Sequence, residues 1–78
     1  MTISNDALIT LAMADIEAQG RDIPAMTAFE SEMHVEYSLN EAHPDVWWDE
    51  DDNEYMGTGA AFQQIHEVLQ YILPRVRG

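Results

Sequence analysis

Two segments of helical apolar spacing, one at each end of the chain, enclose a middle stretch that carries ten carboxylates between positions 30 and 54 and not one Lys or Arg. The core must therefore come from the ends and from the few apolar residues the middle can spare, because clustered charges have to stay in water. In the first segment, about residues 4 to 19, Leu8, Leu11, Met13 and Ile16 with small alanines between them form a broad apolar face. Ser4 is placed to cap this helix, Asp6 lies in the first turn where the dipole favours negative charge, and Ile3 with Leu8 fits a hydrophobic staple. Gly20 supplies the stop. In the last segment, about 58 to 73, Phe62, Ile65, Leu69 and Ile72 recur at helical steps with Ala61 and Val68 beside them. Thr58 is the predicted cap, Pro74 the predicted end, and Arg75 and Arg77 set positive charge beside the negative end of the dipole.

The middle reads two ways. Met26, Phe29, Met33 and Tyr37 have helical spacing, and Thr27 with Glu30 matches a capping box, whereas Met33, Val35, Tyr37 and Leu39 alternate with polar residues as a strand does. The helix is favoured, although Val35 and Tyr37 lean toward strand. His43 and Pro44 break whatever precedes them, and Gly57-Thr58-Gly59 hinges the acidic region onto the last helix. The expected fold is mainly α, a small compact domain over residues 1–78 with its N- and C-terminal amphipathic helices packed against each other and an acidic interaction segment at about 30–56. The alternative is α+β, with one or two short strands around 32–39 and 44–56.

With 78 residues the chain forms one domain, and it has no cysteine to staple it or to bind metal through thiolate. An intracellular, cytoplasmic setting follows as an expectation. The apolar run Ala7–Ala14 lacks a preceding positive charge and is short for a signal peptide, and no stretch approaches the length of a membrane span. The formal charge of -12 makes DNA, RNA and anionic lipid poor direct partners, since each is repelled at long range. Basic proteins, polyamines and cations are left as partners, with plain solubility as the alternative use of the charge.

The acidic constellation is Glu30, Glu32, Glu36, Glu41, Asp45, Asp49, Glu50, Asp51, Asp52 and Glu54. If extended, such a run advances about 3.3 Å per residue, near the ~3.4 Å axial step between phosphates of a DNA strand. Trp47 and Trp48 precede the densest part. Adjacent residues on a regular element point different ways, so one tryptophan is expected in the core and the other near the surface, where it suits an Arg-rich partner; the competing expectation buries both. Asp49, Asp51 and Asn53 alternate like the first ligands of a calcium loop, but Glu54 and Ala60 stand where that loop needs Gly and Glu. His34, His43 and His66 have no zinc-site spacing. No catalytic residues, metal site or cofactor are assigned, and an enzyme is not expected. Met13, Met26 and Met33 read as core gap-fillers rather than an adaptable surface.

In its short length, lack of cysteine and acidic stretch with Trp47-Trp48 inside it, the chain resembles the small acidic proteins by which phages inhibit host defence, in particular anti-CRISPR proteins that mimic DNA. The resemblance implies an inhibitor that occupies the Lys and Arg surface of a CRISPR effector complex and blocks DNA by competition. It carries over no motif and no residue roles. Two alternatives stay open: an antitoxin or immunity-type inhibitor of a basic nuclease, and a phage or plasmid structural protein that oligomerises, as a homodimer for instance, through its apolar helix faces.

Overall fold

The computed structural model describes residues 2–78. The elements run α1 (Asn5–Ala18), a 3-10 turn (Ile23–Ala25), α2 (Ala28–Ala42), β1 (Val46–Asp49), β2 (Glu54–Gly57) and α3 (Gly59–Val76). The fold is mainly helical with one short antiparallel hairpin, so the middle contributes both a helix and strands: residues 32–39 are helical, and the only part of the α+β alternative that forms is the pairing within 44–56.

Local sequence explains the boundaries. The Ser4 hydroxyl accepts the Ala7 N–H at 3.1 Å, and Gly20 closes α1 in the left-handed region at φ 64. At α2 the capping box forms in full: Thr27 Oγ1 accepts from Glu30 N at 3.2 Å, and the Glu30 carboxylate accepts from Thr27 N at 3.3 Å. Two reciprocal bonds to backbone donors tip the ambiguous segment toward helix. In the hairpin Trp48 stands opposite Tyr55 and Asp49 opposite Glu54, with Glu50–Asn53 as the loop and Asn53 in the left-handed region that its side chain tolerates. Gly57 is no hinge: it is paired in β2, and a Cβ there would meet the Asp45 carbonyl oxygen at 2.8 Å and Val46 Cγ2 at 3.0 Å.

Pro74 does not end α3, which continues to Val76. Proline removes only its own N–H, so the Gln70 carbonyl loses its helical donor while Arg77 N–H still reaches the Leu73 carbonyl at 3.1 Å. The Arg75 side chain also bonds the Tyr71 carbonyl at 2.5 Å and holds the last turn together.

The helices are not arranged as a simple N- to C-terminal pair. α2 makes the principal contacts to both α1 and α3, which touch each other less. The core joins Leu8, Ala12 and Ile16 of α1, Ile23, Val35 and Leu39, and Ile65, Val68, Leu69 and Ile72 of α3. Leu11 and Met13, expected on the buried face, are exposed, because α1 has one main neighbour and buries mainly the i, i+4, i+8 row. Phe62 is likewise partly exposed at the start of α3.

One polar network ties the ends to the middle. Buried His43 accepts the Asp45 N–H on Nδ1 at 3.1 Å, so its Nε2–H donates to Gln64 Oε1 at 2.8 Å. Gln64 in turn donates from Nε2 to the Ile3 carbonyl at 2.7 Å and to Asn5 Oδ1 at 2.9 Å. The end of α2, the start of β1, α3 and the N-terminal cap region are thus fixed by one histidine and one glutamine. Among the described residues no helix is long and apolar enough to cross a membrane.

Three substitutions test this arrangement by thermal or denaturant unfolding. Leu39→Ala should cost about 2–5 kcal/mol, whereas Phe29→Ala, which lies outside the core, should stay within about 0.5 kcal/mol. Comparable losses at both positions would mean that the Phe29 row of α2 also faces the core. Gln64→Leu should cost about 1–3 kcal/mol by stranding the His43 Nε2–H.

Candidate partner-binding surface

At 100° per residue, Phe29 and Ser31 lie about 200° apart around a helix. α2 turns Ser31, Val35, Ser38 and Leu39 inward, and that choice sends Phe29, Met33 and Tyr37 outward. These three are 71%, 55% and 46% exposed. The stripe that carried the helical signal in the sequence is therefore a surface feature, and Met33 belongs to that surface rather than filling a core gap. Met26 is half-buried against the core.

The hairpin extends the stripe. Tyr55 of β2 meets Tyr37 of α2 edge-to-face, with ring centroids 5.6 Å apart, and Trp48 of β1 meets Tyr55 in the same manner at 4.9 Å. The Tyr55 hydroxyl donates to the Glu41 carboxylate, which clasps the hairpin to α2. Partial burial first, then the bonds and charges of Glu41 and Tyr37, push the Tyr55 hydroxyl far above the ordinary tyrosine range.

Both tryptophans are exposed, Trp47 at 56% and Trp48 at 46%, so neither anchors the core. A two-stranded hairpin lying beside α2 has too little cover to bury an indole on either face. Strand alternation puts Trp48 on the face with Tyr55 and sends Trp47 to the opposite face with its partner Met56.

The carboxylates divide between helix and hairpin. Glu32 and Glu36 are exposed on α2, and Glu50, Asp51, Asp52 and Glu54 are exposed around the hairpin loop. The other four have local work: Glu30 completes the capping box, Glu41 holds Tyr55, and Asp45 is half-buried and engaged. Asp49 Oδ1 accepts the Asp51 and Asp52 N–H groups at 3.0 and 3.4 Å, which shapes the loop. The run from Asp49 to Glu54 thus doubles back instead of extending, so its charges form a cluster and not a row at phosphate spacing. Among the described residues no group of three or more His, Asp or Glu side chains is placed to hold a metal ion.

Phe29, Met33, Tyr37 and Tyr55 were not among the sequence-derived site residues. Their signal was the second row, Ser31, Val35, Ser38 and Leu39, which offers α2 an alternative inward face. On the far edge of the stripe Arg21 lies 3.3 Å from His34 Nε2 and is held by Gln19 Oε1 at 2.5 Å. The surface is consequently acidic on its hairpin side and carries one cation on the other.

Because the Tyr55 hydroxyl titrates higher when folded than unfolded, its contribution is present below about pH 10 and fades as pH rises beyond that. Tyr55→Phe should cost about 1 kcal/mol at pH 7, discounted for solvent exposure of the pair. Melting temperatures from pH 8 to 11 should fall more steeply for the wild type than for Tyr55→Phe, and parallel curves would remove Tyr55 as the clasp.

Comparison with protein-family models, with curated proteins and with solved structures gives no match for this chain.

Proposed function

We propose that this chain is a phage-encoded inhibitor that covers the DNA-holding surface of a basic, nucleic-acid-binding protein, with a CRISPR effector complex as the preferred target. It acts by binding, without catalysis, in the host cytoplasm. The observation that carries this reading is the ladder Tyr37–Tyr55–Trp48, its two outer rings exposed and Tyr55 half-buried between them, standing beside the exposed carboxylates of α2 and those of the hairpin loop. An isolated apolar residue on a surface needs no explanation, but a contiguous aromatic patch rimmed by charge suits a protein interface. The charge of -12 turns away nucleic acid and attracts Lys- and Arg-rich surfaces.

The mimicry supported is of charge, not of phosphate register, since the hairpin loop folds the acidic run back on itself. Long-range charge steers the encounter, and the desolvated aromatic slows escape. Self-association through this face is opposed by the like charges of Glu32, Glu36 and the loop.

Binding kinetics on purified CRISPR effector complexes, with target DNA as competitor, test the reading. Glu50→Gln, Asp51→Asn, Asp52→Asn and Glu54→Gln together spare Asp49, which shapes the loop, and should slow association and flatten its salt dependence. Trp48→Ala should mainly speed dissociation, by about 2 kcal/mol or roughly thirtyfold. Loss of DNA binding in proportion to occupancy is expected; a complex that holds DNA and this chain together at undiminished affinity rules the proposal out.

A further inference from the structure

Between α2 and β2 lies an open pocket of about 210 Å³ lined by Met33, Glu36, Tyr37, Asn40 and Tyr55. Met33, Glu36 and Tyr37 belong to the outward face of α2, Asn40, one turn further on, is buried at its edge, and Tyr55 closes the pocket from the hairpin. Among the described residues no cationic group lines it. Glu36 is exposed and has no partner within the described residues. Asn40 is only 9% exposed, and among the described residues no donor reaches its buried Oδ1. Buried polar atoms are nearly always paired, so an orphaned amide oxygen in a residue that lines a pocket leaves a place for a donor from outside once the side chain turns toward it.

We infer that this pocket is a receptor for an arginine side chain presented by a protein partner. The inference rests on the reading of the chain as a ligand of a basic protein, and it names the group by which that partner is gripped. A planar guanidinium can lie against a phenol ring while its edge donates to the Glu36 carboxylate and to Asn40 Oδ1, reached by a small rotation about the broad χ2 of asparagine. Lysine cannot do this equally well: its ammonium is a compact, strongly hydrated point charge without a flat face. Glu41 holds the Tyr55 hydroxyl, so that ring is set in place before any ligand arrives. The same pairing already occurs within the chain, where the Arg75 guanidinium lies 3.8 Å from the centre of the Tyr71 ring.

The test is a two-dimensional NMR titration of the full chain with N-acetyl-arginine methylamide, its lysine counterpart and its citrulline counterpart, which keeps the shape of arginine without the charge. Saturable shifts are expected at Met33, Glu36, Tyr37, Asn40 and Tyr55, including the Asn40 side-chain amide, with affinity on the order of millimolar for so small a probe. The lysine and citrulline probes should bind about fivefold or more weakly. Glu36→Gln, an exposed change that leaves the melting temperature alone, should weaken arginine binding about fivefold, while Glu17→Gln on α1 should not. Equal shifts from arginine and lysine centred on the Glu50–Asn53 loop would reduce the effect to general screening and overturn the inference. So would a dimer at NMR concentration that Arg77→Gln dissolves, because the arginine would then come from a second copy. The two readings fail separately: arginine selectivity without any block of DNA binding keeps the pocket and ends the inhibitor reading, whereas a full block by Glu36→Gln with no arginine selectivity does the reverse.

Discussion

The structure depends on which face α2 turns to the other helices. Ser31, Val35, Ser38 and Leu39 face inward, and the two serines are as deeply buried as the aliphatics beside them. A small residue at a helix contact lets the neighbouring backbones approach, and Ser31 meets its own hydrogen-bonding need by donating to the Ala28 carbonyl at 2.9 Å. Burial of small side chains at the centre allows Leu8, Ala12 and Ile16 to close from α1 and Ile65, Leu69 and Ile72 from α3 on one core. The larger residues of α2 are then left outside.

That inversion links fold to site. Had the Phe29, Met33 and Tyr37 row turned inward, the hairpin would have found no aromatic to lean on, and Tyr55 and Trp48 would lack their edge-to-face partner. The outward row instead gives β2 a docking edge. His43 and Gln64 fix the other end of the hairpin against α3 and the N-terminal cap region, so the aromatic ladder is held at both ends. Rigid aromatics among exposed carboxylates lose little freedom on binding, which is what makes them effective anchors.

The division of labour among the carboxylates follows from the same geometry. Residues near helix and loop termini, Glu30 and Asp49, satisfy backbone N–H groups that would otherwise lack partners. Those on mid-helix and loop positions, such as Glu36 and Glu50, have no such neighbours and stand exposed to solvent. Total charge therefore overstates the interacting surface, and the exposed subset beside the ladder is the part a partner meets.

The sequence by itself determined the elements whose signals are local. Ser4, Thr27 and Thr58 each cap the helix that follows, because an N-cap is satisfied by residues three positions away. The apolar period of α3 and the break at His43-Pro44 are legible for the same reason, while Pro74 reads as a stop in the sequence and is none in the fold, because its effect is confined to one hydrogen bond of the last turn. Tertiary structure alone decided the rotation of α2, the exposure of both tryptophans and the pairing of Tyr37, Tyr55 and Trp48. α2 carries two rows able to face a core, and spacing along one chain does not choose between them; the choice falls to the shapes of α1 and α3, which close around serines more tightly than they could around phenylalanine and tyrosine.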